Sequence, residues 1–163
     1  MFDEKLKQQA ARILETLRGR KQTLATSESC TGGLIGGLFT EIPGSSDVFD
    51  RGFVTYSNRA KHEMLGVPEH LIHEQGAVSE AVARSMADGA LTHAGAQLAL
   101  AVTGIAGPGG GTEEKPVGLV YVALAMEGRE AVAQEFRFGD LGRDLVRQRT
   151  IAAALDMLEA SLK

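Results

Sequence analysis

Glu28-Ser29-Cys30-Thr31-Gly32-Gly33 is the stretch on which the fold turns. It follows an apolar, β-prone run, Thr23-Leu24-Ala25-Thr26, and precedes Leu34, Ile35, Leu38 and Phe39 at helical spacing. A hydroxyl, a thiol and a second hydroxyl therefore stand where a strand ends and a helix begins. Unpaired backbone N–H groups and the positive end of the helix dipole face outward at such a point. An anion, or an oxyanion forming during a reaction, is stabilised there. The two glycines let a substrate approach the backbone closely. The place suits a nucleophile; the competing reading is that Ser29 or Thr31 is only an N-cap.

Working outward, apolar residues at positions 6, 10, 13, 14 and 17 predict an amphipathic helix over 3–19, with Gly19 as its stop. Gln22 to Thr26 reads as a strand and 32–40 as a helix. Ile42 to Ser46 is a turn, Phe49 to Tyr56 a strand, and 58–65 a short helix ending at Gly66. Pro68 opens another short helical segment, and Ser79 caps a long helix. Leu98 to Val102 alternates little, as expected for a strand covered on both faces. A Gly/Pro-rich loop spans 104–116, and strands at 117–126 and 131–138 join at Glu127-Gly128-Arg129 as a hairpin. Ile151, Leu155, Leu158 and Leu162 mark a closing helix. Helices alternating with strands, plus one hairpin, predict an α/β layered domain with a mixed sheet.

The 163 residues predict one domain, and a hydrophobic fraction of 44% is ordinary for a globular core. A net charge of -4 argues against general nucleic-acid binding. One cysteine excludes an internal disulfide and fits a reducing compartment. Met1 to Arg20 is charged throughout, unlike a signal peptide, and no apolar run reaches the length of a membrane span. The expectation is a soluble, cytoplasmic protein with no membrane partner.

Three segments rich in Gly, Ser, Thr or Tyr each begin at the end of a predicted strand: Glu28 to Gly33, Tyr56 to Lys61, and Thr103-Gly104 through Gly107 to Gly111. Ligands of open α/β sheets bind outside the carboxyl ends of strands, so one shared pocket is expected. The Gly-rich loop lacks a Gly-Lys-Ser/Thr ending and no Gly-x-Gly-x-x-Gly opens a helix. It is a flexible surface connection or a functional loop, and its length favours the second. His62, His70, His73 and His93 form no metal pattern, and Cys30 has no Cys-x-x-Cys partner. Ser plus Lys activates a hydroxyl without histidine. Lys61 as base must be neutral, and lowering a lysine from about 10.4 to about 7 costs roughly 4–5 kcal/mol, supplied by burial or a nearby cation. The alternative is a solvated helix residue.

Glu28 to Gly33, Gly52 to Asn58 with Lys61, Gly76-Ala77-Val78-Ser79, and Thr103 to Pro108 with Glu114 to Gly118 together resemble the CinA C-terminal domain family. They are most similar to its stand-alone bacterial members, the nicotinamide mononucleotide deamidases. The resemblance covers nearly the whole chain. It implies a three-layer αβα sandwich with a mixed β-sheet, and hydrolysis of nicotinamide mononucleotide to nicotinate mononucleotide and ammonia. It further implies a Ser/Lys amidohydrolase of pyridine nucleotide recycling, without metal or other cofactor, acting as a homodimer. By position, the serine nucleophile falls on Ser29, the lysine base on Lys61 and the family tyrosine on Tyr56. The hydroxyl before Gly-Ile-Ala-Gly falls on Thr103. Cys30, Thr31, Gly32, Gly33, Gly104 and Gly107 are the accompanying substrate contacts. A basic phosphate ligand falls on Arg147, with Arg143 or Arg149 as alternatives, because Asp140 to Asp144 is longer than the family spacing. The N-terminal domain of longer members is absent from this sequence, and activities depending on it are expected to be absent too. Two rival readings remain: a Cys30 amidohydrolase in which Ser29 only caps a helix, and a non-catalytic nucleotide-binding or regulatory module.

Overall fold

A computed structural model describes residues 2–163. The order is α1 (Glu4–Gly19), β1 (Leu24–Glu28), α2 (Leu34–Thr40), a 3-10 turn at Ser45–Asp47, β2 (Phe49–Val54), α3 (Asn58–Leu65), α4 (Glu69–Gln75), α5 (Glu80–Ala94), β3 (Leu98–Gly104), β4 (Leu119–Met126), β5 (Val132–Arg137) and α6 (Arg143–Ser161). One five-stranded sheet has the order β2-β1-β3-β4-β5. β1 is parallel to β2 and β3, whereas β4 is antiparallel to β3 and β5. This is the mixed α/β layering that the sequence predicts.

Local chemistry explains most of the ends. The Asp3 side chain accepts from Leu6 N at 2.8 Å, and Ser57 and Ser79 cap α3 and α5 in the same way. Helix α1 stops after Gly19, but the left-handed residue of its exit is Lys21 (φ 55) rather than that glycine. Strand β1 starts and ends two residues later than the Gln22–Thr26 expectation. Ser27 and Glu28 are polar, yet they pair with both neighbouring strands, so sheet pairing overrides their weak β-propensity.

Alternation along the strands separates two cores. Leu24, Leu98, Leu100, Val102, Val120, Val122 and Leu124 face α1, α2 and α6. Ala25, Ala99, Ala101, Ala123 and Ala125 face α5 and the short helices α3 and α4. The bulky face supports three helices, and the alanine face is a low floor on which α5 settles closely. β1 is followed on one face by α2 and leads to β2; the chain then returns over the other face through α5 to β3. The connection switches sides beside β1, so a crevice opens outside the carboxyl ends of β1, β2 and β3.

The close seat of α5 leaves no space at Gly89, where an added Cβ would lie 2.1 Å from the Leu65 carbonyl oxygen. Gly89→Ala should therefore destabilise the protein by about 2 kcal/mol or more in urea unfolding, although alanine is the better helix former. Increased stability would show that α3 and α5 are not packed as described.

Candidate active site

The period of two that divides the cores also aims the residues of the β1 exit. Glu28 points towards α2 and Ser29 towards α3, on opposite faces of the sheet. The Glu28 carboxylate is fully buried and accepts from Thr31 Oγ1 (2.6 Å), Gly33 N (3.1 Å), Ile35 N (3.0 Å) and Gly36 N (2.8 Å). The anion site expected at this helix N-terminus is thus occupied by the chain's own carboxylate. Gly32 N is also engaged, by Ser29 O at 3.0 Å. The amides of Cys30 and Thr31 have no protein acceptor among the described residues. Glu28 is the residue that sequence reasoning missed; only the strand's extension to position 28 turns its side chain into the helix.

Lys61 is 1% exposed, on the buried side of α3. Its Nζ donates to the Thr55 carbonyl at 2.8 Å and lies 3.0 Å from Ser29 Oγ. Among the described residues no carboxylate pairs with it, and burial lowers its pKa from 10.5 to about 8. The solvated alternative for Lys61 is excluded by this burial. Cys30 lies in the core under α2 and α6, and burial pushes its thiol up to about 12. A thiol so held is a poor nucleophile at neutral pH.

Ser29, Cys30, Tyr56, Lys61, Thr103 and Gly104 line one cavity of about 270 Å³, together with Asn58, Ala77, Val78, Ala106 and Arg143. Among the described residues no carboxylate lines it, so its two charged groups are the basic Lys61 and Arg143. Tyr56 is 61% exposed, and its hydroxyl accepts from Arg143 Nη2 at 2.8 Å. Arg143 Nη1 donates to Gly107 O at 3.1 Å, so this arginine ties the β2 exit to the Gly-rich loop across the mouth.

Thr31, Gly32, Gly33, Gly107, Arg147 and Arg149 do not line that cavity. Thr31 serves Glu28, and Gly33 (φ 97) forms the left-handed N-cap of α2. Arg147 Nη2 donates to Thr31 O at 3.1 Å, and its remaining surface, like that of Arg149, faces a separate groove between α1 and α6. Helix α6 begins at Arg143, well ahead of the apolar positions that announce it, and this start brings Arg143 to the mouth. Asn58, Ala77 and Val78 had no assigned role in the sequence, although they fall within the quoted motifs. Among the described residues no group of three or more His, Cys, Asp or Glu is placed to hold a metal ion, and no helix is long and apolar enough to cross a membrane.

The chain that carries this strand-to-helix serine and buried lysine is similar over nearly its whole length to known proteins. The family model of the CinA C-terminal domain matches residues 6–162, and the chain belongs to that family. A CinA-like protein of Akkermansia muciniphila is 54% identical over 135 residues, covering 81% of this chain and 33% of the relative. One from Synechococcus sp. (strain RCC307) is 49% identical over 155 residues, covering 94% of this chain and 37% of the relative. The chain thus spans about a third of the length of these curated relatives. Among solved structures, the competence/damage inducible protein CihA of Agrobacterium tumefaciens superposes with a TM-score of 0.96 at 49% identity, covering 98% of this chain and 97% of that one. A CinA superfamily protein of Enterobacter cloacae gives 0.92 at 27% identity, covering 97% and 92%.

The buried lysine has a stability consequence. Its protonated form is disfavoured in the fold, so the unfolded chain holds the proton more tightly between pH of about 8 and about 10.5. Stability from this group rises with pH across that window and is lost as pH falls to about 8. Lys61→Met should stabilise the protein at pH 7 by about 3 kcal/mol at most, with the advantage shrinking towards pH 10.5, in thermal unfolding at the two pH values. A Lys61→Met variant less stable than the unmodified protein at pH 7 would contradict an uncompensated buried ammonium.

Proposed function

We propose that this chain is a cytoplasmic Ser/Lys amidohydrolase that converts nicotinamide mononucleotide to nicotinate mononucleotide and ammonia. The observation that carries the chemistry is the 3.0 Å approach of the buried Lys61 Nζ, whose pKa burial lowers to about 8, to Ser29 Oγ. The substrate is supplied by the family resemblance, and the basic, carboxylate-free cavity supports it because the mononucleotide carries a phosphate.

Neutral Lys61 donates one N–H to Thr55 O, which leaves its lone pair for the Ser29 hydroxyl. The Ser29 proton passes to Nζ while Oγ bonds to the carboxamide carbon. The carbonyl oxygen takes up the negative charge, and the acceptor-free amides of Cys30 and Thr31, which follow Ser29 in the chain, are the candidate backbone donors. Lys61 then gives its proton to the leaving nitrogen, the C–N bond breaks and ammonia departs. Water attacks the Ser29 ester, Lys61 accepts its proton and passes it to Ser29 Oγ as the acyl–oxygen bond breaks, and the released acid ionises to the carboxylate. Arg143, rather than Arg147, is the phosphate ligand in this reading, because it lines the cavity. Tyr56 beside it borders the substrate. The resemblance also implies a homodimer, and exposed Leu141 and Leu145 flank Arg143 as apolar surface for such pairing.

Purified protein incubated with the mononucleotide should release ammonia, with kcat/KM rising through a pH of about 8 as Lys61 loses its proton. Ser29→Ala should remove roughly a thousandfold or more of kcat, and Lys61→Arg should be nearly as inactive because a guanidinium stays protonated. Cys30→Ala should keep most of the activity. An active Ser29→Ala protein, or a dead Cys30→Ala one, would move the nucleophile to the thiol.

A remote phosphate is held equally in ground and transition states, so Arg143→Ala should raise KM by about tenfold with kcat little changed. Arg147→Ala should change KM less. Steady-state kinetics of the two variants compares them directly, and a larger KM effect at Arg147 would return the phosphate to the family position.

A further inference from the structure

The short segment Gln75 to Val78, which runs from the last residue of α4 towards the Ser79 cap of α5, contributes Ala77 and Val78 to the wall of the cavity. It has no strand partner. Instead, each of its four carbonyls is claimed by a side chain. Ser79 Oγ donates to Gly76 O at 2.9 Å and Thr103 Oγ1 to Ala77 O at 2.8 Å. Lys115 Nζ donates to Gln75 O at 2.5 Å and to Val78 O at 2.9 Å. The lysine thereby brackets the segment at both ends.

Its reach is prepared on both sides. In the Gly-rich loop, Thr112 N donates to Lys115 O (2.8 Å) and Lys115 N to Thr112 Oγ1 (3.0 Å), which holds the Lys115 backbone in a tight turn. On the segment, Gly76 has φ 78, and a Cβ there would lie 2.8 Å from Nζ. Gln75 O is also at the C-terminus of α4, where a cation is favoured.

We propose that Lys115 is a positioning residue for substrate binding: it clamps the 75–78 wall of the cavity to the Gly-rich loop without touching the substrate. The proposal rests on the amidohydrolase reading for its kinetics. The Ser29–Lys61 pair is built on β1 and α3, apart from this clamp. Loss of the clamp therefore loosens binding and leaves the proton-transfer machinery intact.

The test uses the full chain with Lys115→Met, which keeps length and removes the donor, and Lys115→Gln, which donates to one carbonyl. Glu113→Ala, on the same loop, is the control. Hydrogen exchange of the peptide covering 75–79 should quicken about tenfold in Lys115→Met. KM for nicotinamide mononucleotide should rise about tenfold, with kcat within about threefold of the unmodified protein. The ascending limb of the pH profile should stay at about 8. Lys115→Gln should fall between, and Glu113→Ala should match the unmodified protein in all three. Faster exchange with unchanged KM would reduce Lys115 to a structural tie and overturn the proposal. A raised KM with unchanged exchange would make it a substrate contact and overturn it equally, as would a kcat collapse with a displaced pH limb. If the unmodified protein releases no ammonia, the amidohydrolase reading fails by itself, and the exchange rates alone decide whether Lys115 clamps the wall.

Discussion

The site depends on one buried carboxylate. Glu28 ends a central strand and enters the first turn of α2, where three amide N–H groups and a threonine hydroxyl close on it. A buried charge without an ion pair is costly unless its hydrogen-bonding capacity is filled. Here helix termination demands donors be satisfied, and the carboxylate demands the same donors. The two requirements cancel, and the turn between them, residues 29–33, has little freedom left. Ser29 is presented towards α3 because its neighbour is locked towards α2.

The opposite face carries the opposite compromise. Lys61 is buried without a counter-ion, a choice that lowers stability and leaves a base. The rest of the fold absorbs the cost. A floor of alanines under α5 brings α3 and α5 close together, with Gly89 against the last carbonyl of α3. This holds α3, and with it Lys61, at the height of the β1 exit. The arrangement places an unpaired ammonium at the cavity over an apolar, closely packed floor, the pattern expected where function opposes stability.

Around this pair the walls are tied by side chains more than by sheet hydrogen bonds. Arg143 joins the β2 exit to Gly107, Thr103 holds Ala77, and Lys115 spans Gln75 to Val78. Loops held this way order without becoming strands. They therefore keep a cavity of about 270 Å³ open between them.

Local pattern alone determined the alternation of helices and strands, the hairpin at Gly128, the serine cap of α5, and the strand-to-helix setting of Ser29. These follow from period, turn chemistry and capping, all of which act over a few residues. The motifs likewise pointed to the CinA C-terminal family and paired Ser29 with Lys61 across 32 positions. Tertiary structure decided the rest. It extended β1 through two polar residues because two partner strands were available to pair with them. That shift of two sent Glu28 into α2, so the helix N-terminus expected to greet a substrate was already filled. It began α6 at Arg143 and carried that arginine, not Arg147, to the cavity mouth. It buried Lys61 and Cys30 on opposite sides of the same strand end, which made one a weakened ammonium and the other an inert thiol. Burial and facing are properties of the assembled layers, and no window of sequence contains them.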